Sequence, residues 1–306
     1  MNPPLVSVII PCLNADNYII QTLDSVCYQD YEQLEVIVVD NGSSDKTVDL
    51  VENYPDDRVS LLHEPVKNAN IARNKGIKAA KGEYFQFLDA DDTLALNKIS
   101  QQVGYLEKSS DDIVVSDRVI WDESMSKEIQ RLTFERITQN TFDVLFSEII
   151  ITGNPLYKKR CVIAEGGFNE DLKVAQDWEF NLRLFKSNYR FGYLPGFFLN
   201  CRQLDNSLSS DWKKVSIVGW QVIQKLDFPF ELFQKNPKSL KKLFFIFSDA
   251  IIYSKTSPKN VAASIVKYNL NTISKQFAQG ITRLMLQLIG LKNTLLLKRK
   301  FSKKNN

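Results

Sequence analysis

Four short runs of large apolar residues constrain this chain more than any other feature: LVSVII (5–10), LEVIVVD (34–40), RVSLLH (58–63) and EYFQFLD (83–89). A strand with one wet face alternates apolar and polar side chains, whereas a run that is apolar nearly throughout suits a strand covered on both faces. Between the runs lie segments with helical character. Ile19, Leu23 and Val26 stand at helical spacing, NGSSD (41–45) opens a helix reaching about Asn53, and the Ala-rich stretch 68–81 is closed by Gly82. Strands alternating with helices predict an α/β domain with a mostly parallel sheet. Pro11 is expected to stop the first strand, and Asn14 or Asp16 to cap the first helix.

The pattern continues with a helix from about 94 to 108 and a strand at 112–116, then becomes unreadable over 117–150. QDWEFNLRLF reads as an amphipathic helix with Phe180, Leu184 and Trp178 inward, and YRFGYLP with FFLNCR as a closing hairpin or edge strands. Beyond Trp212 the composition shifts to Lys, Leu, Ile and Phe at helical spacing, with breaks near Pro229, Pro237 and Pro258. Two regions are therefore expected: an α/β domain over 1–212 and a basic, mainly helical region over 213–306.

In parallel sheets ligands bind beyond the carboxyl ends of the strands, and there this sequence places its acids. Pro11, Asn14 and Asp16 follow the first strand, Asp40, Asn41, Gly42 and Asp45 the second, and Asp89, Asp91 and Asp92 the fourth. Three carboxylates within four residues repel one another, more so when buried. In an extended segment residues two apart point the same way, so Asp89 and Asp91 aim together if the strand runs one residue further. Two carboxylates with open positions suit Mg²⁺ or Mn²⁺. The plainer alternative is a solvated acidic turn, with Asp92 or Thr93 capping the next helix.

The 306 residues are 44% hydrophobic and 25% charged, ordinary for a globular chain. The net charge of +3 hides an asymmetry: residues 211–306 carry 18 Lys+Arg against 4 Asp+Glu, a balance of +14, which leaves −11 for the first 210. Cys12, Cys27, Cys161 and Cys201 show no CxxC spacing, so neither a disulfide framework nor a zinc site is expected. The start has no basic region or long apolar stretch of a signal peptide, and no run reaches the 18 or so apolar residues of a membrane span. A reducing cytoplasm is the expected compartment. The basic region lacks the aromatic platforms of a strand-stacking surface, so no nucleic-acid partner is expected.

Together, VSVIIPCLNADNYIIQTLDSVCYQDYEQLEVIVVDNGSSDKTVDLV and NANIARNKGIKAAKGEYFQFLDADD closely resemble the family 2 glycosyltransferases of GT-A fold, over roughly residues 5–210. The resemblance implies a Rossmann-like, mostly parallel mixed sheet flanked by helices, and an inverting transfer of sugar from a nucleotide-sugar, usually a UDP-sugar. It implies that Pro11 and Asn14 line the nucleotide pocket, that Asp40 contacts the base, and that Arg73 lies near the nucleotide. Asp89 would face the ribose and, with Asp91, the metal, Mn²⁺ or Mg²⁺. AQDWEFNLRL fills the place of the family's Glu-Asp motif, so Asp177 matches the catalytic base and Gln176 replaces the usual Glu. That replacement removes a negative neighbour and is expected to ease the ionisation of Asp177. Trp178 packs in the core or stacks on an acceptor sugar. In CRQLDNSLSS, Leu204 stands where relatives often carry His, leaving Arg202 and Ser207 as diphosphate contacts. His63, the only histidine, is expected to be structural. Asp40, Asp45 and Asp177 each also suit capping roles, and Arg73 an ion pair.

Two other functions stay open at this level. A nucleotidyltransferase normally wants a Gly-rich basic loop after its first strand, and PCLNADN has neither glycine nor base. A non-catalytic nucleotide-sugar-binding partner subunit is compatible with Gln176 and Leu204. The family often acts on glycans or lipid-linked glycans of the cell envelope, so the acceptor expected is a hydroxyl of that class. In the tail, Ile281, Leu284, Met285, Leu288, Ile289, Leu291 and Leu295 share an apolar face, followed by Lys298, Arg299, Lys300, Lys303 and Lys304. Such a helix lies in a membrane interface, at the inner face of the plasma membrane, or packs on the domain.

Overall fold

The structure, a computed structural model, describes residues 3–204 and 211–253. The chain divides into two compact units, Met1–Ser210 and Asp211–Asn306.

The first unit is built on one nine-stranded mixed sheet flanked by helices. Its first half is parallel. β1 (Val6–Cys12) lies between β2 (Leu34–Asp40) and β4 (Tyr84–Phe87), and β3 (Val59–His63) pairs with β2 at the edge. The crossovers are α1 (Ile19–Cys27), α2 (Thr47–Glu52) and α3 (Ala69–Ala79). Every residue of β1 is buried, which explains why its sequence does not alternate. Val8, Ile10, Val36 and Val38 pack on one face with Ile19, Leu23 and Val26 of α1. On the other face α3 approaches so closely that a Cβ at Gly76 would lie 2.4 Å from Ile9 Cγ2. At the turn into β4, a Cβ on Gly82 would lie 2.6 Å from the Ser7 backbone nitrogen, so no larger residue fits there.

Pro11 does not stop β1; the strand runs through it to Cys12. The Ile9 carbonyl accepts from Leu88 on the β4 side, while the Cys12 carbonyl accepts from Asn41 on the β2 side. Successive residues of a strand bond to opposite sides, so Pro11 turns its nitrogen toward the β4 side. Pairing there has ended at Ile9 and Phe87, and the missing N–H breaks no ladder bond.

The second half of the sheet departs further from the sequence reading. After β5 (Thr93–Leu94) and α4 (Lys98–Lys108), β6 runs Ile113–Trp121, five residues beyond the expected end. The unreadable segment holds β7 (Glu128–Leu132), a 3-10 turn (Glu135–Thr138) and α5 (Thr141–Ser147). β8 (Leu156–Lys158) runs antiparallel between β4 and β6, and leads into α6 (Lys159–Ala164) and α7 (Gln176–Lys186). The hairpin or edge strands expected at 189–202 are instead one internal strand, β9 (Phe191–Arg202), parallel to β6 and antiparallel to β5. Pro195–Gly196 is absorbed by a register shift against β6. Asp117 holds that shift, its carboxylate accepting from the Tyr193 hydroxyl (2.9 Å) and the Gly196 N–H (3.3 Å).

In the second unit α8 (Trp212–Leu226), α9 (Phe230–Gln234) and α10 (Pro237–Tyr253) form a helical cluster. Asp211 caps α8 by accepting from the Lys214 N–H, and Asp227 ends it in the left-handed conformation (φ 51°). Pro229 and Pro237 fall at helix starts, where a missing N–H is harmless. Val222, Ile223, Leu226, Phe233 and Leu243 are buried, and the Ser216 hydroxyl donates to Asp249. Among the described residues no helix is long and apolar enough to cross a membrane. Pro258, Ser207 and the amphipathic segment 281–304 lie outside the described residues.

Candidate active site

The loops after β1 and β2 are bound to each other. Asn14 takes the left-handed conformation (φ 51°); its N–H donates to Ser43 Oγ and its Oδ1 accepts from the Ser44 N–H at 2.8 Å. It therefore does not cap α1, whose N-cap is Tyr18 without a side-chain bond. Asp45 accepts from the Asp16 and Thr47 N–H groups, so it holds the first loop to the start of α2, whose N-cap is Lys46. Asp40, buried at the end of β2, accepts from the N–H groups of Gly42 and Ser43 and lies 3.7 Å from His63 Nδ1. These contacts close the turn; Pro11 is buried in β1 opposite Val39, one residue before Asp40.

The acids after β4 do not continue the strand. Asp89 to Asp92 form a turn closed by the Asp92 N–H on the Asp89 carbonyl, and the Thr22 hydroxyl of α1 is within 2.8–2.9 Å of the carbonyls of Ala90 and Asp92. The three carboxylates take different environments. Asp89, half-buried, accepts from Arg73 Nη2 at 2.7 Å. Asp92 is buried and accepts from the Arg202 N–H at 2.9 Å, so it anchors the end of β9 rather than capping α4, whose N-cap is Asn97. Burial, then Asp91 and Asp89, push its carboxyl well above the usual range. Asp91 receives no side-chain hydrogen bond among the described residues, and burial with the neighbouring Asp89 lifts it to about 6.

That imbalance answers whether a divalent cation fits. Two neighbouring carboxylates, one of them in no ion pair among the described residues and raised by burial and by its neighbour, are suited to a hard cation. Among the described residues no three His, Cys, Asp or Glu side chains converge as a metal cage. Asp91 and Asp89 would hold such an ion as a pair, with substrate oxygens and water completing the shell, as is usual for Mg²⁺.

Arg73 joins this turn to the start of α7. It is buried on α3, with Nη2 on Asp89, Nη1 on Gln176 Oε1 at 3.1 Å, and the guanidinium 5.3 Å above the Phe168 ring. Gln176 thus receives the same donor a Glu would. Asp177 follows in the first turn of α7, set by Ala175 in the left-handed conformation (φ 58°). Burial raises its carboxyl to about 6; Arg73 opposes this, Asp89 adds to it, and the Thr152 N–H opposes it by hydrogen bonding. Burial outweighs the easier ionisation expected from Gln176. Trp178 is in the core, its Nε1 donating to the Phe146 carbonyl, with Phe180 and Leu184 also inward.

Arg202, expected at the diphosphate, makes several protein contacts. Nε donates to the Asp91 carbonyl (3.0 Å), Nη2 to Gln21 Oε1 (2.6 Å), Nη1 to the Glu123 carbonyl, and the guanidinium stacks over Tyr18. It ties α1, the acidic turn and the β6–β7 hairpin together. Two further residues were not found from sequence. Arg118, buried in β6, donates from Nη1 to Asn154 Oδ1 at 3.0 Å and feels the charges of Asp92 and Asp177. Thr152 is fully buried and supplies the N–H to Asp177. The visible signal was an arginine inside the apolar run VVSDRVI; Thr152 had none.

A sheet parallel in its first half, with acids at the carboxyl ends of those strands, and mixed in its second half has the architecture of the GT-A glycosyltransferases. Solved structures agree: S. aureus TarS 1–349 superposes with a TM-score of 0.64 at 19% identity, over 90% of this chain and 92% of that one. TarS 1–349 in complex with UDP-GlcNAc gives 0.61 at 18% identity, over 93% and 81%. The profile of Glycosyl transferase family 2 matches residues 7–160, and the chain belongs to that family. An uncharacterized glycosyltransferase of Rickettsia typhi, RT0329, is 35% identical over 187 residues, 58% of this chain and 57% of that protein. Bacillus subtilis TuaG, whose name assigns it provisionally to teichuronic acid biosynthesis as a glycosyltransferase, is 39% identical over 110 residues, 35% of this chain and 44% of that one. The matches thus span little more than half the length of these relatives at most.

Proposed function

We propose that this chain is an inverting glycosyltransferase that moves a sugar from a nucleotide-sugar, a UDP-sugar, to a hydroxyl of a glycan or lipid-linked glycan. The observation that carries the reading is the bridge made by Arg73, which bonds at once to Asp89 of the acidic turn and to Gln176 beside Asp177. It fixes the acidic turn and the carboxylate of α7 as one constellation. The family membership and the UDP-GlcNAc complex of TarS support the donor class.

Pro11, Asn14 and Asp40 line the nucleotide end, where two interlocked loops offer a preformed floor. Asp91 and Asp89 would hold a divalent cation, Mn²⁺ or Mg²⁺, which would supply positive charge against the leaving diphosphate. Asp177 takes the proton from the acceptor hydroxyl as the oxygen attacks the anomeric carbon, and the diphosphate leaves in the same displacement. A base titrating near 6 is ionised at neutral pH, yet binds a proton more readily than an ordinary carboxylate. No covalent sugar–protein intermediate is needed. Arg202 shapes the rim through its latch rather than standing free.

No observation favours the binding-subunit reading, because Gln176 keeps its bond to Arg73. The TuaG likeness supports an envelope polysaccharide as acceptor. Four buried free thiols suit a reducing cytoplasm, and the tail 281–304 would bring the enzyme to anionic lipid. Turnover with a panel of nucleotide-sugars, with and without Mn²⁺, tests the reaction. Release of nucleoside diphosphate from one donor, lost on chelation, is expected. Flotation of the full chain and of a form ending near Gly280 on anionic vesicles tests the tail; equal flotation of both excludes its role.

A further inference from the structure

Buried polar side-chain atoms are almost always hydrogen-bonded, and exceptions ask for a ligand, a water or a strain. Among the described residues only three such atoms lack a partner: Arg73 Nε, Arg118 Nε and Thr152 Oγ1. All three belong to residues that act on Asp177. Arg73 and Arg118 feel its charge, and Thr152 donates its N–H to it.

Arg73 is neutralised by Asp89. Arg118 is not. It is 7% exposed, and among the described residues it forms no ion pair and its one hydrogen bond goes to a neutral amide, Asn154 Oδ1. The Phe134 ring lies 5.6 Å from its guanidinium. Its Nη2 bonds to no protein group and is not sealed from solvent. A neighbouring buried network fixes this position. Asn154 donates to the Ser116 carbonyl, and its own carbonyl accepts from Gln102 Nε2 and from Lys98 Nζ, which also donates to Gln86. With its Nε buried and unbonded and the carboxylates of Asp92 and Asp177 acting on it only from beyond ion-pair distance, the guanidinium is under-satisfied in the free protein. A ligand oxyanion would relieve it.

We infer that Arg118, on which the charges of Asp92 and Asp177 both act, is a substrate-binding residue that takes an anionic oxygen of the substrate, phosphate or carboxylate, between the acidic turn and Asp177. The inference rests on the reading of this cleft as a nucleotide-sugar site. The unsealed Nη2 can donate to such a group, and a ligand oxygen seated against the guanidinium edge would also stand nearest the unbonded Nε. The oxyanion comes either from the donor diphosphate or from an acidic acceptor sugar.

The test uses the full chain with Arg118→Met, Arg118→Lys and Thr152→Val. UDP and uridine are titrated by calorimetry in Mn²⁺, turnover is followed with neutral and uronate-bearing acceptors, and thermal unfolding is recorded. Loss of a charge-assisted hydrogen bond predicts about ten- to hundredfold weaker binding. If UDP weakens by that factor in Arg118→Met while uridine does not, the donor phosphate is the partner. If UDP binding holds and only the uronate acceptor loses turnover, the acceptor is the partner. Arg118→Lys should recover part of either loss, and the melting temperature of Arg118→Met should not fall, since an unpaired buried charge has been removed. Unchanged UDP binding and unchanged turnover with both acceptors overturn the inference. So does a lower melting temperature with parallel loss of UDP and uridine, the sign of a structural role. Failure of every donor to turn over refutes the proposed reaction, while the comparison of UDP with uridine still reads Arg118.

Discussion

Asp177→Asn should make the folded protein more stable at pH 8 while stopping turnover. The Asp177 carboxyl is raised from 3.8 to about 6, with burial the leading cause. At 1.36 kcal/mol per pH unit, that lift amounts to about 3 kcal/mol. Below pH 3.8 both the folded and the unfolded chain hold the proton, and the group contributes no difference. Between pH 3.8 and 6 the unfolded chain releases its proton while the folded one keeps it, so stability falls as pH rises. Above 6 the folded protein carries the whole penalty. An amide has the same shape, still accepts from the Thr152 N–H and has no charge to desolvate. Because the cleft is partly open to water, we expect about 1–3 kcal/mol of stabilisation at pH 8 and almost none at pH 4. For a domain of this size that is a rise of roughly 2–10 °C in melting temperature. The assay is thermal unfolding of wild type and variant at both pH values in chelator, to keep metal ions out of the comparison. A variant that melts lower than wild type at pH 8, or gains equally at both pH values, would refute the account of Asp177 as a desolvated carboxylate.

Three more outcomes are expected. Asp91→Ala should remove the Mn²⁺-dependent part of UDP affinity, because Asp89 alone is already bound to Arg73; titration with and without the ion reads it, and an unchanged metal dependence contradicts the site. Turnover of the wild type should fall as pH drops through about 6, since Asp177 and Asp91 both sit there and both act ionised; a limb near 4 would place the base elsewhere. Gly82→Ala should destabilise the protein by about 2 kcal/mol or more, because its methyl group would meet the Ser7 backbone at 2.6 Å; denaturant unfolding reads this, and a neutral result would contradict the close approach.

The first half of the fold was legible because its signals are local. Leu34–Asp40 reads to the residue: its apolar run is bounded by a polar turn, and both faces are buried. The breaks in the reading came where long-range partners decide. Pro11 looks like a strand stop until the pairing on its nitrogen's side is known to have ended. Pro195–Gly196 has the composition of a turn, yet Asp117, far away in sequence, holds it inside β9. The same division runs through the site. Asp89, Asp91 and Asp177 stand in quotable motifs, but the strand does not extend to Asp91, and the aim of both acids comes from a turn held by Thr22. The bonds of Arg202 to Gln21 and Glu123 have no sequence signature, so its role in holding the rim was not legible beside the diphosphate contact expected of it. Thr152 and Arg118 lay in segments without readable pattern, since their burial depends on β6, α7 and the loop between α5 and β8 meeting in space.

The most direct measurement of the central claim is single-donor turnover by wild type and Asp177→Asn in the same Mn²⁺ buffer, with UDP affinity measured on both. The account predicts that a UDP-sugar yields UDP and a product of inverted anomeric configuration with the wild type. In the variant the rate should fall by about a hundredfold or more, the scale of a lost general base, with UDP affinity unchanged. Near-normal turnover by the variant, or retention of configuration in the product, would contradict it.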